Sequence, residues 1–334
     1  MKINRPRNLF SIFSAAVIVT GAYWGQRILR YSGDIPVTPQ TILYMSSHQT
    51  WLQNLLNEGG WNFFIQTSGK IQCLTHGGFF SQPTWSPDRK WIAFSSYEDI
   101  LTKGNRNYNQ FFIWRMKTDG AEQRRISPVW LSSQNPVWSP DGQWILFSAH
   151  AFNEALYNVS DSLAHAYPDS FRTRSLFLMR PDGSQAKRLG IINDCLRFTL
   201  NPSWAPDSRR AVFIGHGCNS SSIQIVDVIT EVVYSVLTGE QWQPLAQPNW
   251  SPVKDAIAFV SRGNIFSLDL ASGMPKQLTS DGQCREPSWS VDGKHLYFVR
   301  ASQDDGQIWR QDLITGETRQ TTFNKGHNVF PVAH

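Results

Sequence analysis

Several side chains with binding chemistry occupy one repeated position relative to apolar runs of the chain. When these runs are aligned on their aromatic residue, the position just past each run holds Ser47, Tyr97, His150, His216, Arg262 and Ala301, and His48 follows one step after Ser47. Histidines can ligate a metal, and histidine together with arginine can bind an acidic sugar or another anion. Ordinary solvated residues would leave the same pattern, and a metal needs three ligands that converge on one point.

Metal binding, anion binding and a purely solvated surface therefore stay open as interpretations. We take the residues as a candidate binding group and expect neither a metal nor a cofactor. Its members are His48, Tyr97, His150, His216 and Arg262. Carboxylates occur in the same parts of the chain, among them Glu98, Asp99 and Glu154. Two carboxylates that face each other could act as a glycosidase pair, but the sequence does not determine their separation.

Motifs for other chemistry are absent from the sequence. No Gly-x-Ser-x-Gly segment marks a hydrolase nucleophile, and no glycine-rich loop could bind phosphate. We expect no catalytic residues and a non-enzymatic role. A carbohydrate-active enzyme, either a lyase or a glycosidase, is the alternative.

Four cysteines occur without the close spacing of a metal site. Cys195 and Cys218 flank the same predicted pair of strands, and a disulfide between them is a plausible outcome in an oxidising compartment. Cys73 and Cys284 fit packing roles.

A repeated phrase defines the elements that must position all these residues. Pro136-Val137-Trp138-Ser139-Pro140-Asp141-Gly142 is followed at once by the apolar run Trp144–Phe147. The repeats centre on five tryptophans: Trp85, Trp138, Trp204, Trp250 and Trp289. Proline presets the turn, glycine accepts a positive φ, and the tryptophan is a large apolar group suited to wedging between sheets. Each phrase therefore predicts a β-hairpin, and its aspartates, Asp88, Asp141, Asp207 and Asp292, are predicted to form turns.

A further apolar strand and a short final strand follow each hairpin, so each unit has four antiparallel strands. The tryptophans lie about 40 to 65 residues apart, which is the spacing of propeller blades. The phrases resemble the TolB-like, WD40-like (PD40) propeller repeats, and the resemblance covers roughly residues 41 to 334. It implies an all-β, six-bladed propeller and says little about chemistry, because such propellers host many functions.

In the family, TolB carries an extra N-terminal α/β domain and acts in the cell envelope with peptidoglycan-associated lipoprotein. We expect this chain to lack that domain, which puts a Tol-type role in doubt while leaving a related envelope-binding role open.

The first predicted blade lacks its innermost strand. Asn328–Ala333 matches the missing strand entry, with Ala333 at the tryptophan position. We expect the C-terminus to close the ring by supplying this strand, which leaves no open edge.

The N-terminus predicts export. Residues 1–30 hold three basic residues before the uncharged, mostly apolar run Leu9–Gly25, as in a signal sequence or a membrane anchor helix. An uncleaved anchor, a cleaved signal and a frayed apolar terminus are the alternatives. Residues 31–40 are a predicted linker, and residues 41–334 are the predicted propeller. Either of the first two alternatives places the propeller in the periplasm or another extracytoplasmic space, most simply anchored in the cytoplasmic membrane.

The charge distribution argues against nucleic acid. The chain has 31 basic and 26 acidic residues, but five basic residues and no acidic ones lie in the first thirty positions. The remainder is balanced at 26 of each sign, so the propeller lacks the positive field that nucleic acids require.

Insertions are concentrated where second strands pass to third strands and where one blade passes to the next. They are Ser46–Gly60, Tyr97–Gln110, Ala151–Arg174 and Ile191–Leu200. In a four-stranded blade these connections lie on one face of the ring, here called the insertion face. Loops on a rigid scaffold commonly carry binding, although tolerated surface insertion is the simpler alternative. The sequence thus predicts a monomeric propeller that binds a protein or an envelope component through this face.

Overall fold

The computed structural model describes residues 41–47, 60–67, 70–75, 80–101, 107–151, 174–190, 198–217, 220–302, 305–324 and 326–333. They form six four-stranded antiparallel sheets, so the predicted all-β, six-bladed propeller is confirmed. Within these ranges the one helical segment is a 3-10 turn at Glu240–Trp242. None of these residues belongs to a helix long and apolar enough to cross a bilayer. The predicted anchor and linker, residues 1–40, lie outside the described residues.

Each blade is given from its innermost to its outermost strand. Blade 1 contains β24 (Asn328–Ala333), β1 (Ile42–Ser46), β2 (Asn62–Thr67) and β3 (Lys70–Cys73). Blade 2 contains β4 (Phe80–Trp85), β5 (Trp91–Leu101), β6 (Asn107–Lys117) and β7 (Arg124–Arg125). Blade 3 contains β8 (Leu131–Trp138), β9 (Ile145–Ala151), β10 (Ser175–Met179) and β11 (Lys187–Arg188). Blade 4 contains β12 (Phe198–Trp204), β13 (Arg210–His216), β14 (Ser221–Asp227) and β15 (Val233–Leu237). Blade 5 contains β16 (Leu245–Trp250), β17 (Ala256–Ser261), β18 (Asn264–Asp269) and β19 (Pro275–Gln277). Blade 6 contains β20 (Cys284–Trp289), β21 (His295–Ala301), β22 (Gly306–Asp312) and β23 (Thr318–Gln320).

The repeated phrase forms the hairpin between the innermost and second strands. In blade 3 the innermost strand ends at Trp138, and Ser139 donates its hydroxyl to Asp141 Oδ1 at 2.5 Å. The same oxygen accepts the backbone N–H of Gln143 at 3.0 Å. Blades 2 and 6 repeat this arrangement with Asp88 and Asp292. These aspartates satisfy backbone donors of the turn, which supports their predicted structural role.

A bulge interrupts every innermost strand immediately before its proline. The residue before the proline has a φ between 51° and 57° in all six blades. These residues are Gln82, Asn135, Asn201, Gln247, Glu286 and Phe330. The bulge shifts the pairing with the second strand, and all six residues line a cavity of about 160 Å³ together with their prolines. The repeat thus builds the channel at the centre of the ring.

The C-terminal strand pairs with the first described strand of the chain. Ile42 lies opposite Ala333, and Ser46 lies opposite Asn328. Asn328 is fully buried, and its side-chain amide donates to Gln307 Oε1 in blade 6 at 3.1 Å. The strand therefore contacts both ends of the propeller sequence.

Candidate functional site

The predicted binding residues lie at equivalent register positions but in different local structures. Arg262 follows the end of its second strand, and His216 is the last residue of its strand. His150 and Tyr97 lie inside their strands, β9 and β5. His48 lies outside the described residues.

The insertion predicted at Tyr97–Gln110 is largely strand rather than loop. β5 continues to Leu101 and pairs with β6 from Tyr97↔Phe111 to Leu101↔Asn107. The rings of Tyr97 and Phe111 meet edge to face, with centroids 5.6 Å apart. An extended antiparallel pair satisfies its own backbone hydrogen bonds, so β5 and β6 continue past Ser96, where the pairing of β5 with β4 ends.

His150 lies near an arginine at the junction of blades 3 and 4. Arg174 donates from Nη1 to Gln134 Oε1 at 2.5 Å, and its backbone carbonyl accepts the N–H of Thr199 at 3.0 Å. Arg174 also forms an isolated parallel bridge with Phe198, whose side chain is 46% exposed. The predicted insertions Ala151–Arg174 and Ile191–Leu200 therefore end side by side. We call His150, Arg174, Gln134 and Phe198 the junction cluster.

His216 and Arg262 belong to the next junction, between blades 4 and 5. His216 Nδ1 lies 2.7 Å from the hydroxyl of Ser221. Gln243 joins the two sides: its side-chain amide donates to the carbonyl of Ser221 at 2.7 Å, and its carbonyl accepts Arg262 Nε at 3.3 Å. The structure thus connects two predicted residues through Ser221 and Gln243, and places His150 and Tyr97 on other blades.

Burial sets the charge state of the histidines on the insertion face. Burial and the neighbouring Arg174 lower the pKa of His150 to about 4. Burial also lowers the pKa of His216. Both imidazoles are therefore neutral near pH 7, and Arg174 and Arg262 supply the positive charge. In the part of the chain that the structure describes, no three His, Cys, Asp or Glu side chains are placed to hold a metal.

Arg174, Gln134 and Phe198 were not among the predicted site residues. Arg174 is the last residue of a predicted insertion, and only the pairing of two blades places it beside Phe198. The sequence held one signal for Arg174: this basic residue directly precedes the apolar run Ser175–Met179.

The described cysteines are free and unreactive. Burial raises the pKa of both Cys73 and Cys284 to about 11, so neither thiol ionises readily at neutral pH. Cys195 and Cys218, the predicted disulfide pair, lie outside the described residues.

The structure is a six-bladed β-propeller built from sequence repeats. Five of its inner strands end in a tryptophan, and its insertion face varies from blade to blade. The family model of the TolB beta propeller domain, PD40, matches residues 163–334, which is more than half of the chain. The chain belongs to this family.

Relatives and solved structures agree with the family at the level of the fold. The chain is 29% identical to the Tol-Pal system protein TolB of Chromobacterium violaceum over 112 residues, 32% of this chain and 24% of that protein. It is 33% identical to the uncharacterized peptidase YuxL of Bacillus subtilis over 87 residues, 26% of this chain and 12% of that protein. The chain thus spans a quarter or less of these curated relatives. The crystal structure of TolB from Acinetobacter baumannii superposes with a TM-score of 0.67 at 19% identity, covering 88% of this chain and 66% of that one.

Proposed function

We propose that the protein is a non-catalytic propeller that binds a protein or another envelope component through its insertion face. The junction cluster carries this proposal, because two insertions end there against one exposed aromatic side chain and one arginine. Aromatic residues and arginine are the types most enriched in protein-binding hot spots. The rigid sheet beneath them reduces the entropy lost on binding.

The supporting geometry is specific to one junction. The guanidinium of Arg174 donates to Gln134, and Thr199 donates to the backbone carbonyl of Arg174, so both the side chain and the backbone of this arginine are held before any partner arrives. Phe198 adds an apolar surface beside it that is 46% exposed. A partner with an acidic group next to an apolar side chain would satisfy both residues.

We further propose an extracytoplasmic location, with residues 1–30 as a signal or anchor, residues 31–40 as a linker and residues 41–334 as one propeller closed by its C-terminal strand. The charge pattern of the first thirty residues supports this location, and the family relation to a Tol-Pal system protein agrees with it. Envelope partners follow from that location, and the balanced charge of the remainder disfavours nucleic acid.

Site-specific cross-linking in intact cells tests the binding proposal. A photoreactive phenylalanine analogue replaces Phe198 in one variant and Val291 in the other. Val291 is 45% exposed, and it lies in the Ser-Pro-Asp-type turn of blade 6 on the opposite face of the ring. We expect a discrete cross-linked product from position 198 and none from position 291. Equal products, or none from position 198, would contradict the proposal.

A third variant shortens Ala151–Arg174 while keeping Arg174. Loss of the product from position 198 in this background would assign binding to the insertion face. The enzymatic alternative, a lyase or glycosidase on the same face, predicts instead that a panel of acidic oligosaccharides is cleaved by the full chain and that the Arg174→Ala variant loses this cleavage.

A further inference from the structure

The outermost strands of the six blades differ in how they are protected. Five of them are two to four residues long and contain lysine or arginine: β3 with Lys70, β7 with Arg124 and Arg125, β11 with Lys187 and Arg188, β19 with Lys276, and β23 with Arg319. Short strands and charged side chains prevent an exposed sheet edge from pairing with another chain. Blade 4 departs from this pattern.

The outer strand of blade 4 is five residues long and has no charged residue and no proline. Its sequence is Val233-Tyr234-Ser235-Val236-Leu237, which is rich in residues that favour strands. One edge pairs with β14, with Tyr234 opposite Ile225 and Val233 opposite Val226. Among the described residues no strand pairs with the other edge.

The side chains around this strand form an exposed apolar surface. Tyr234 is 46% exposed, Val232 is 59% exposed, and Ile229 in the preceding turn is 73% exposed. Val233 and Val236 pack inward against the cores of the blade. The strand is therefore anchored on one side and open on the other.

The sequence segment that contains this strand has acidic residues and no basic ones. Residues 211–253 contain no lysine or arginine and three acidic residues: Asp227, Glu231 and Glu240. Asp227 is neutralised by Arg209, which approaches it at 2.6 Å. Glu231 and Glu240 flank β15 in the sequence, and Glu231 Oε2 accepts the backbone N–H of Gly190 at 2.8 Å.

We infer that β15 is a docking edge for an extended peptide segment of a partner protein, with alternating apolar residues between basic ends. The segment would add a fifth strand to blade 4, with backbone hydrogen bonds providing affinity and its basic ends facing Glu231 and Glu240. A second copy of the chain fits poorly. In the antiparallel register centred between Ser235 and Val236, Glu231 of one copy and Glu240 of the other would come to the same end of the paired strands, where their like charges repel.

Fluorescence anisotropy with a labelled synthetic peptide tests the inference. The probe is Lys-Thr-Val-Thr-Val-Thr-Lys with blocked termini, titrated with the full chain. We expect saturable binding that weakens as salt is raised, because the basic ends contribute. The same peptide with proline in place of its central threonine should lose binding at least tenfold, since proline removes a backbone donor and disrupts strand pairing.

Two lysine substitutions locate the binding edge. Tyr234 and Ile71 are each 46% exposed and lie on outer strands, of blades 4 and 1. We expect Tyr234→Lys to weaken peptide binding at least tenfold and Ile71→Lys to leave it unchanged, with both variants retaining the circular dichroism spectrum and thermal unfolding of the parent. Equal effects of the two substitutions, or unchanged binding in Tyr234→Lys, would overturn the inference.

The acidic ends are tested by Glu231→Gln combined with Glu240→Gln. Glutamine at 231 can still accept the N–H of Gly190, so the local fold is kept. We expect weaker binding of the lysine-ended peptide and unchanged binding of a threonine-ended one. Sedimentation velocity completes the test: a dimer of the parent chain that disappears in Tyr234→Lys would identify a second copy as the occupant and overturn the inferred partner.

Discussion

The innermost strands and the insertion face are built on opposite principles. All six innermost strands have the same bulge before a proline, and five of them end in a tryptophan. The equivalent positions of the insertion face instead hold serine, tyrosine, histidine, arginine and alanine. Repetition is required where each blade must pack against the next in the same way, and variation is tolerated where side chains meet solvent or a partner. This variation supports the binding role that we propose for the insertion face.

Even the uniform region varies in its side-chain chemistry. Side chains at the bulges link neighbouring blades: Gln82 Oε1 accepts the N–H of Asn135, and Gln247 Oε1 accepts the N–H of Glu286, each at 2.9 Å. Glu286 continues the series, because its Oε2 accepts the N–H of Phe330 at 2.5 Å. An acid thus replaces an amide where the last blade meets the C-terminal strand.

Removing that strand should produce the largest effect. A chain ending after Phe323 loses Asn328–Ala333 and leaves β1 without its inner partner. The loss exposes the cluster that contains Val329, Leu43 and Met45, so we expect a destabilisation of about 5 kcal/mol or more, comparable with the whole stability of a typical domain. Urea unfolding followed by circular dichroism measures it, and a chain lacking only His334 is the control. A truncated chain that unfolds like the control would show that the strand is dispensable.

Alanine substitutions in the two regions should also differ in how much they destabilise the fold. Trp289 is 4% exposed and donates its indole N–H to Asn249 O of blade 5 at 2.9 Å. Trp289→Ala should cost about 3 to 5 kcal/mol through the cavity that it leaves. Phe198→Ala on the insertion face should change stability by about 0.5 kcal/mol or less, because the side chain is already half exposed. Similar values for the two in thermal unfolding would remove the distinction between the regions.

Glu286 should make stability depend on pH. Its side chain is 11% exposed, and burial raises its pKa from an ordinary 4.5 to about 7. A raised pKa means that the folded state retains the proton longer than the unfolded state, so the stability is fully present below pH 4.5 and falls as the pH rises to about 7. At about 1.4 kcal/mol per pKa unit, the fall amounts to at most about 3 kcal/mol.

Glu286→Gln should remove this slope between pH 5 and pH 8 in urea unfolding, while keeping an acceptor for the N–H of Phe330. Gln247→Glu is the matched control, because it places an acid at the preceding junction and should steepen the slope. Parent and Glu286→Gln chains whose unfolding free energies change equally with pH across this range would refute the prediction.

The sequence predicted the repeated region well because its signal is local. Each Pro-x-Trp phrase contains its own strand end and turn, and five copies set the blade count together with the C-terminal strand. The positive φ of Gln82 and its equivalents was not predictable, since these residues precede proline and carry no glycine signal. The length of the segment between the second and third strands of blade 2 predicts an insertion at Tyr97–Gln110, and the sequence does not show that β5 and β6 continue into it.

The junction cluster could not be predicted for a different reason. Arg174 and Phe198 lie in different blades, and their contact depends on how two sheets sit side by side. The low pKa of His150 has the same origin, since burial in the folded ring is its larger cause. The strand register could be read from the sequence and placed the candidate side chains at equivalent positions. The charge of the histidines among them depends on burial in the folded ring, which the sequence does not give.

The smallest expected effect tests whether burial, rather than the charge of Arg174, is the main cause of the low pKa of His150. Burial lowers the pKa of His150 more than the charge of Arg174 does, so Arg174→Leu should raise the pKa of His150 only modestly from about 4, leaving it below the ordinary 6.5. Because the depressed pKa destabilises the folded state as pH falls from 6.5 toward 4, the variant should lose slightly less stability over that interval. An NMR titration of the His150 ring protons measures the change, and Arg262→Leu, in the next junction, should leave it unaltered. A rise of the His150 pKa to 6.5 in Arg174→Leu would mean that Arg174, rather than burial, keeps this imidazole neutral. An equal change of the His150 pKa in both variants would mean that the two junctions share one electrostatic environment.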